Sequence, residues 1–199
     1  MKVRVKICGI TEFDGARAAM EAGVEAIGFV FARSPRQVTA VQAADISSRV
    51  GSEILKVAVF ARPDAPEVEA VLADFRPDMV QADYQSRSAV PDSIRFLPVI
   101  HQGAPPRVMP DGCFLLDSAN SGTGELTDWS QAADQAANRR LILAGGLNPG
   151  NVAEAIASVR PHGVDVSSGV ERRRGMKDPE LISSFVAAVR ATEMEPAGP

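Results

Sequence analysis

The stretch VKICGIT at residues 5–11 ends an apolar run on Cys8, just ahead of a glycine turn. A thiolate is both nucleophile and base, and a free thiol titrates at about 8.5, so its use depends on its surroundings. Period two sends Val3, Val5 and Ile7 to one face of the run and Arg4, Lys6 and Cys8 to the other. If the apolar set packs on helices, Cys8 is the last inward residue. Lys6 then lies beneath it, about 7 Å away at two residues' rise, where an ammonium favours the thiolate. Buried structural cysteines are also common, and the residue types leave both readings open. The run CFLLD behaves similarly, with Cys113, Leu115 and Asp117 on one face and Asp117 last. A thiol and a carboxyl facing each other across a cavity can act as base and acid. The plainer reading of Asp117 is a turn cap, and Cys113, deeper on its row, reads as core filler.

Two glycine-bearing stretches suggest an anion site. AGGLNPGNV places Gly145 and Gly146 ahead of a helix, and DVSSGVE supplies Ser167, Ser168 and Gly169. Glycine lets backbone approach an anion, and amides at loop and helix starts donate to it. A pair of tight turns is the alternative. In FARSPRQV, Arg36 follows Pro35, and its guanidinium suits bidentate capture of a carboxylate; an isolated loop arginine can equally be solvated. Arg172, Arg173 and Arg174 read as a solvated run that adds positive field near the anion site.

These residues need a frame. Short β-branched runs at 3–8, 26–31, 55–60, 78–81, 96–100, 113–117, 141–144 and 163–166 are predicted strands. Amphipathic segments at 11–23, 39–51, 65–75, 127–138, 148–159 and 178–191 are predicted helices. Thr11 and Asp14 have capping-box spacing, Gly23 and Gly51 stop helices, and Pro149 and Pro179 stand at first helical positions. Residues 86–94 have room for a short helix, whereas the three prolines of 101–112 predict a loop in place of a fifth helix. Such alternation implies βαβ units and a parallel sheet. Eight units in 199 residues predict one compact (β/α)8 barrel over residues 1–191 with a frayed tail at 192–199. An open doubly wound sheet competes, but CGITEF is not GxGxxG. In a barrel the site lies at the C-terminal strand ends, and the loops after strands seven and eight often bind phosphate.

The formal charge of −4 argues against nucleic acid as a partner, and no apolar run approaches the ~20 residues of a membrane span. The first ten residues lack signal-peptide character, and two cysteines without metal or CxxC spacing point to a reducing compartment, the cytoplasm.

Together KICGIT, GFVFARSPRQV, KVAVF, LLD, GTG…DW, AGGLNPGNV and VDVSSGVERRRGMKD resemble, in order and spacing, the phosphoribosylanthranilate isomerases of tryptophan biosynthesis. The resemblance spans almost the whole chain. It implies an Amadori rearrangement of a phosphorylated small molecule without metal or organic cofactor, in a monomer or homodimer. Cys8 matches the family's general base and Asp117 its general acid. Arg36 matches the residue that holds the anthranilate carboxylate, while Gln81 and Asp165 match residues of the substrate pocket. An acid that works at neutral pH needs its pKa raised by burial or by bound anions. Three departures stand out: VQADY replaces the usual VQLHG, Arg62 replaces an asparagine, and Glu125 stands for a lysine in a shortened loop that keeps Gly122 and Gly124. A related aldose–ketose isomerase is the alternative activity, and a non-catalytic binder of phosphate ligands is the alternative class.

Overall fold

A computed structural model of the chain describes residues 2–119 and 126–194. Among them eight strands close a parallel barrel in sequence order: β1 Arg4–Cys8, β2 Ala26–Val30, β3 Leu55–Val59, β4 Met79–Asp83, β5 Arg95–His101, β6 Cys113–Asp117, β7 Arg140–Leu143 and β8 Gly163–Val166. Closure comes from β8 pairing with β1, in a register that sets Lys6 beside Asp165. The open-sheet alternative is thereby removed.

Each strand is buried on two faces. Val5, Ile7, Ile27, Phe29, Ala58, Val80, Ile100, Phe114, Leu116 and Val164 point outward into the layer shared with the helices. Phe29 meets Phe75 edge-on at 5.4 Å, and burial of a side chain of this size stabilises the fold by about 1.5–3 kcal/mol. Inside the barrel, Leu97, Val99, Leu115 and Ala144 are buried, and Met79, Cys113 and Ile142 pack against them, partly buried. The inner wall on the β1 and β8 side is polar instead, with Lys6 and Asp165 both buried.

The helices are α1 Phe13–Glu21, α2 Ala40–Ser48, α3 Ala65–Asp74, α4 Trp129–Ala136, α5 Val152–Val159 and α6 Pro179–Met194. Reciprocal capping boxes start α2 (Thr39 with Gln42) and α3 (Asp64 with Glu67). The expected box at α1 does not form. Its N-cap is Glu12 without a side-chain bond, because the Thr11 hydroxyl donates 2.7 Å to the Gly175 carbonyl, far along the chain. Pro149 also misses its expected place. The Asn148 and Asn151 side chains hold residues 146–151 in a turn, and α5 begins only at Val152. A short 3-10 helix, Tyr84–Ala89, follows β4, and residues 102–112 between β5 and β6 form turns and no helix.

Beyond β8 lies a small antiparallel hairpin, β9 Glu171–Arg173 and β10 Met176–Lys177, which the sequence reading did not foresee. Its turn residue Gly175 has φ +82°, and a Cβ there would stand 2.6 Å from the Pro35 carbonyl oxygen. The hairpin is thus seated on the loops that follow β1 and β2. Helix α6 runs past the expected boundary at 191 to Met194, and tail residues 195–199 lie outside the described residues.

Candidate active site

Alternation makes Cys8, Asp83, His101 and Asp117 the last inward residues of β1, β4, β5 and β6. In the closed ring β7 and β8 separate β6 from β1, so Cys8 and Asp117 end inward rows at different points around one mouth. Cys8 is 8 % exposed. A Cβ placed on Gly28 of the neighbouring strand would be 3.1 Å from both its Sγ and the Lys6 Nζ. Glycine at 28 therefore leaves the room in which sulfur and ammonium meet.

The ammonium does not act alone. Lys6 Nζ lies 2.9 Å from Asp165 Oδ1, with both side chains buried. Burial by itself would lower the Lys6 pKa, but Asp165, and then Cys8, outweigh it and hold it above the ordinary lysine value. For Cys8 burial is the largest influence, and it raises the pKa. Lys6 opposes this, Asp165 adds to it, and Lys177 opposes it more weakly, so the net direction is upward. Burial thus overrules the expected thiolate-favouring effect of Lys6, and Asp165 adds to it. Asp117 is half-buried and accepts a 2.8 Å bond from the Ser118 amide. The loop beyond it, with Gly122, Gly124 and Glu125, lies outside the described residues.

The glycine-bearing loops meet beside this pair. Gly145 and Gly146 both have positive φ, at +86° and +66°. A Cβ on Gly169 would overlap the Leu147 carbonyl oxygen, so the loops after β7 and β8 touch backbone to backbone. Ser167 ties the second loop to the thiol strand by donating from Oγ to the Cys8 carbonyl at 3.1 Å. Ser168 opens a single 3-10 turn that leads into the hairpin.

Arg36 stands at the mouth, against the Gly9 turn and almost wholly buried. It is not the solvated cation that was one of its two readings. Its Nε and one terminal nitrogen donate to the two oxygens of Glu171 at 2.7 and 3.0 Å. Lys177 Nζ reaches the same carboxylate at 3.0 Å and the Ser167 carbonyl at 3.0 Å. Burial alone would raise the Glu171 pKa, but the Arg36 and Lys177 contacts hold it below the ordinary glutamate value. Neither Glu171 nor Lys177 was singled out from sequence. Arg172, Arg173 and Arg174 are exposed, as expected.

Gln81 is buried inside the barrel, and its Oε1 is a buried acceptor with no donor of its own among the described residues. Two of the departures from the family pattern meet one another: Arg62 Nε is 3.4 Å from Asp83 Oδ2, and His101 Nε2 is 3.7 Å from the same oxygen. His101 pairs in register with Asp117 on the next strand. Period two through Leu97 and Val99 could have revealed it. Among the described residues no group of three or more His, Cys, Asp or Glu side chains is placed to hold a metal ion, and no helix is long and apolar enough to cross a membrane.

Fold and mouth together define a single-barrel β/α enzyme with its chemistry at the C-terminal strand ends. Residues 5–188 match the family model for N-(5'-phosphoribosyl)anthranilate isomerase, and the chain belongs to that family. It is 43 % identical over 199 residues to the isomerase of Syntrophomonas wolfei, covering 94 % of this chain and 97 % of that one. It is 41 % identical over 202 residues to the Pseudomonas fluorescens protein of the same name, at 94 % and 98 % coverage. The solved phosphoribosyl anthranilate isomerase of Thermus thermophilus superposes with TM-score 0.87 at 32 % identity, covering 95 % of this chain and 99 % of that one. A further isomerase structure, at TM-score 0.80, 30 % identity and the same coverage, holds reduced 1-(o-carboxyphenylamino)-1-deoxyribulose 5-phosphate.

Proposed function

We propose that the chain catalyses the Amadori rearrangement of N-(5'-phosphoribosyl)anthranilate, a step of tryptophan biosynthesis, with Cys8 as general base and Asp117 as general acid. The observation that carries this reading is the placement of these two as last inward residues of β1 and β6 at one mouth, beside two touching glycine-bearing loops. Asp117, protonated, gives its proton to the furanose ring oxygen as the C1–O bond breaks. The resulting iminium acidifies the proton on C2, and the Cys8 thiolate removes it. The enolamine then becomes the ketone by moving a proton from the C2 hydroxyl to C1. Each assisted proton transfer is worth about 10²–10⁴-fold.

The remaining residues orient the substrate. Gly145, Gly146, Ser167, Ser168 and Gly169 hold the phosphate. Arg36 takes the anthranilate carboxylate, the Gln81 amide oxygen accepts from a sugar hydroxyl, and Asp165 lines the pocket while steadying Lys6. Because phosphate and carboxylate are remote from the breaking bonds, they supply alignment rather than bond cleavage.

Purified protein should consume phosphoribosylanthranilate, and Cys8→Ala or Asp117→Asn should each lower kcat by about a hundredfold or more while the fold persists. An unchanged rate in either variant removes that residue from the mechanism. Rescue of a tryptophan auxotroph lacking this isomerase by the wild type, and failure of rescue by Cys8→Ala, tests the same point in cells.

A further inference from the structure

Arg36 has five N–H groups in a rigid fork, and Glu171 occupies one edge of it. Nε and one terminal nitrogen are engaged there, which leaves the end-on edge, with two parallel N–H directions, for an incoming carboxylate. Among the described residues no other acceptor bonds this guanidinium. Lys177 binds the same Glu171 oxygen that Nε binds, and also the Ser167 carbonyl in the loop after β8. The side chains of all three charged residues are at most 7 % exposed, so the cluster is held away from solvent. Two cations and one anion leave a single positive charge, which suits one carboxylate.

The backbone fixes this arrangement. The β9–β10 hairpin supplies both Glu171 and Lys177. Its turn presses on Pro35, the residue before Arg36, and is tied to the β1 loop through Thr11. We infer that Glu171, braced by Lys177, is a positioning residue that aims the free edge of Arg36 at the substrate carboxylate, so that the hairpin sets selectivity for carboxylate-bearing aromatic amines. The inference rests on the role of Arg36 proposed above. Without Glu171 the guanidinium would swing among rotamers, and the carboxylate would meet an unaimed cation. A purely structural ion pair would instead stabilise the barrel without regard to the ligand.

Glu171→Gln separates these possibilities with two substrates, phosphoribosylanthranilate and the phosphoribosyl adduct of aniline, which lacks the carboxylate. Calorimetric affinities for the corresponding ribulose phosphates are measured alongside. For the carboxylate-bearing ligands kcat/KM and affinity should fall about tenfold or more, chiefly through KM. For the aniline counterparts they should change less than about threefold. Equal losses on both ligand series, or tighter binding of the carboxylate, would overturn the inference. If Glu171→Gln does not fold, Glu171→Asp, which keeps charge but shortens reach, undergoes the same comparison. Failure of both to fold assigns the residue to stability and also overturns it. The calorimetry does not depend on turnover, so wild type that binds without reacting would sink the proposed activity and leave the positioning role standing.

Discussion

Cys8 feels opposing influences whose order decides its chemistry. Burial favours the neutral thiol, Lys6 opposes burial, and Asp165 cancels much of what Lys6 offers. The thiol pKa therefore lies above its ordinary value, and alkylation of Cys8 by iodoacetamide should rise with pH only beyond the range of a free thiol. Alkylation that is already level at neutral pH would show that Lys6 outweighs burial. Asp165→Asn removes the charge that adds to burial in raising the thiol, and leaves Lys6 buried without its partner. We expect the ultraviolet absorbance of the thiolate to appear at lower pH in that variant. Its stability should drop by about 3–5 kcal/mol, as for a buried pair that loses one member, measured by urea unfolding. Period two was enough to find Cys8, Lys6 and Asp117, because each ends or nearly ends a run of alternating residues. It could not find the partner of Arg36. Glu171 is 135 residues away, and only the folded hairpin brings the two together.

Loops after β7 and β8 show how glycine can be required by a neighbour rather than by its own torsions. Gly169 has no need of positive φ, yet a single methyl there would strike the Leu147 carbonyl. Neither group is a flexible side-chain tip, so Gly169→Ala must push the loops apart, at a cost of about 1–3 kcal/mol. Inhibition by inorganic phosphate should weaken in this variant more than the urea midpoint falls; unaltered phosphate inhibition would place the anion elsewhere. The strands were legible in the sequence because β-branched runs stand between turn residues, whereas the capping boxes of Thr39 and Asp64 emerge only in the structure. Thr11 misled, since a hydroxyl three residues before an acid can serve a distant carbonyl as readily as a cap. The hairpin was hidden by its brevity, at three residues and two.

The barrel as a whole is closed by more than the β1–β8 ladder. Arg190 of α6 donates to the Val3 carbonyl, to Glu25 and to Glu193, while Glu25 and Glu193 accept from the Val5 and Val3 amides. Glu25 would be raised by burial, but Lys2, the Val5 amide and Arg190 together hold its pKa below the ordinary value. A depressed carboxylate adds stability that is complete above its unfolded pKa, about 4.3 for glutamate, and is lost as pH falls through the folded value. Glu25 and Glu171 share this sign. The urea midpoint should accordingly be level near neutrality and decline below about pH 4. Glu25→Gln should lower the neutral plateau and make the acid decline shallower; a parallel curve would show that Glu25 does not couple to folding.

Lys6 is balanced by Asp165, Arg36 by Glu171, and Thr11 by Gly175, so residues from the opening fifth of the chain find their counterparts only in its closing portion. A nascent polypeptide emerging from the ribosome would carry the thiol and the guanidinium long before either had company. Its competence would thus switch on late in translation, and a fragment cut ahead of β8 should be inert however well its earlier strands pair.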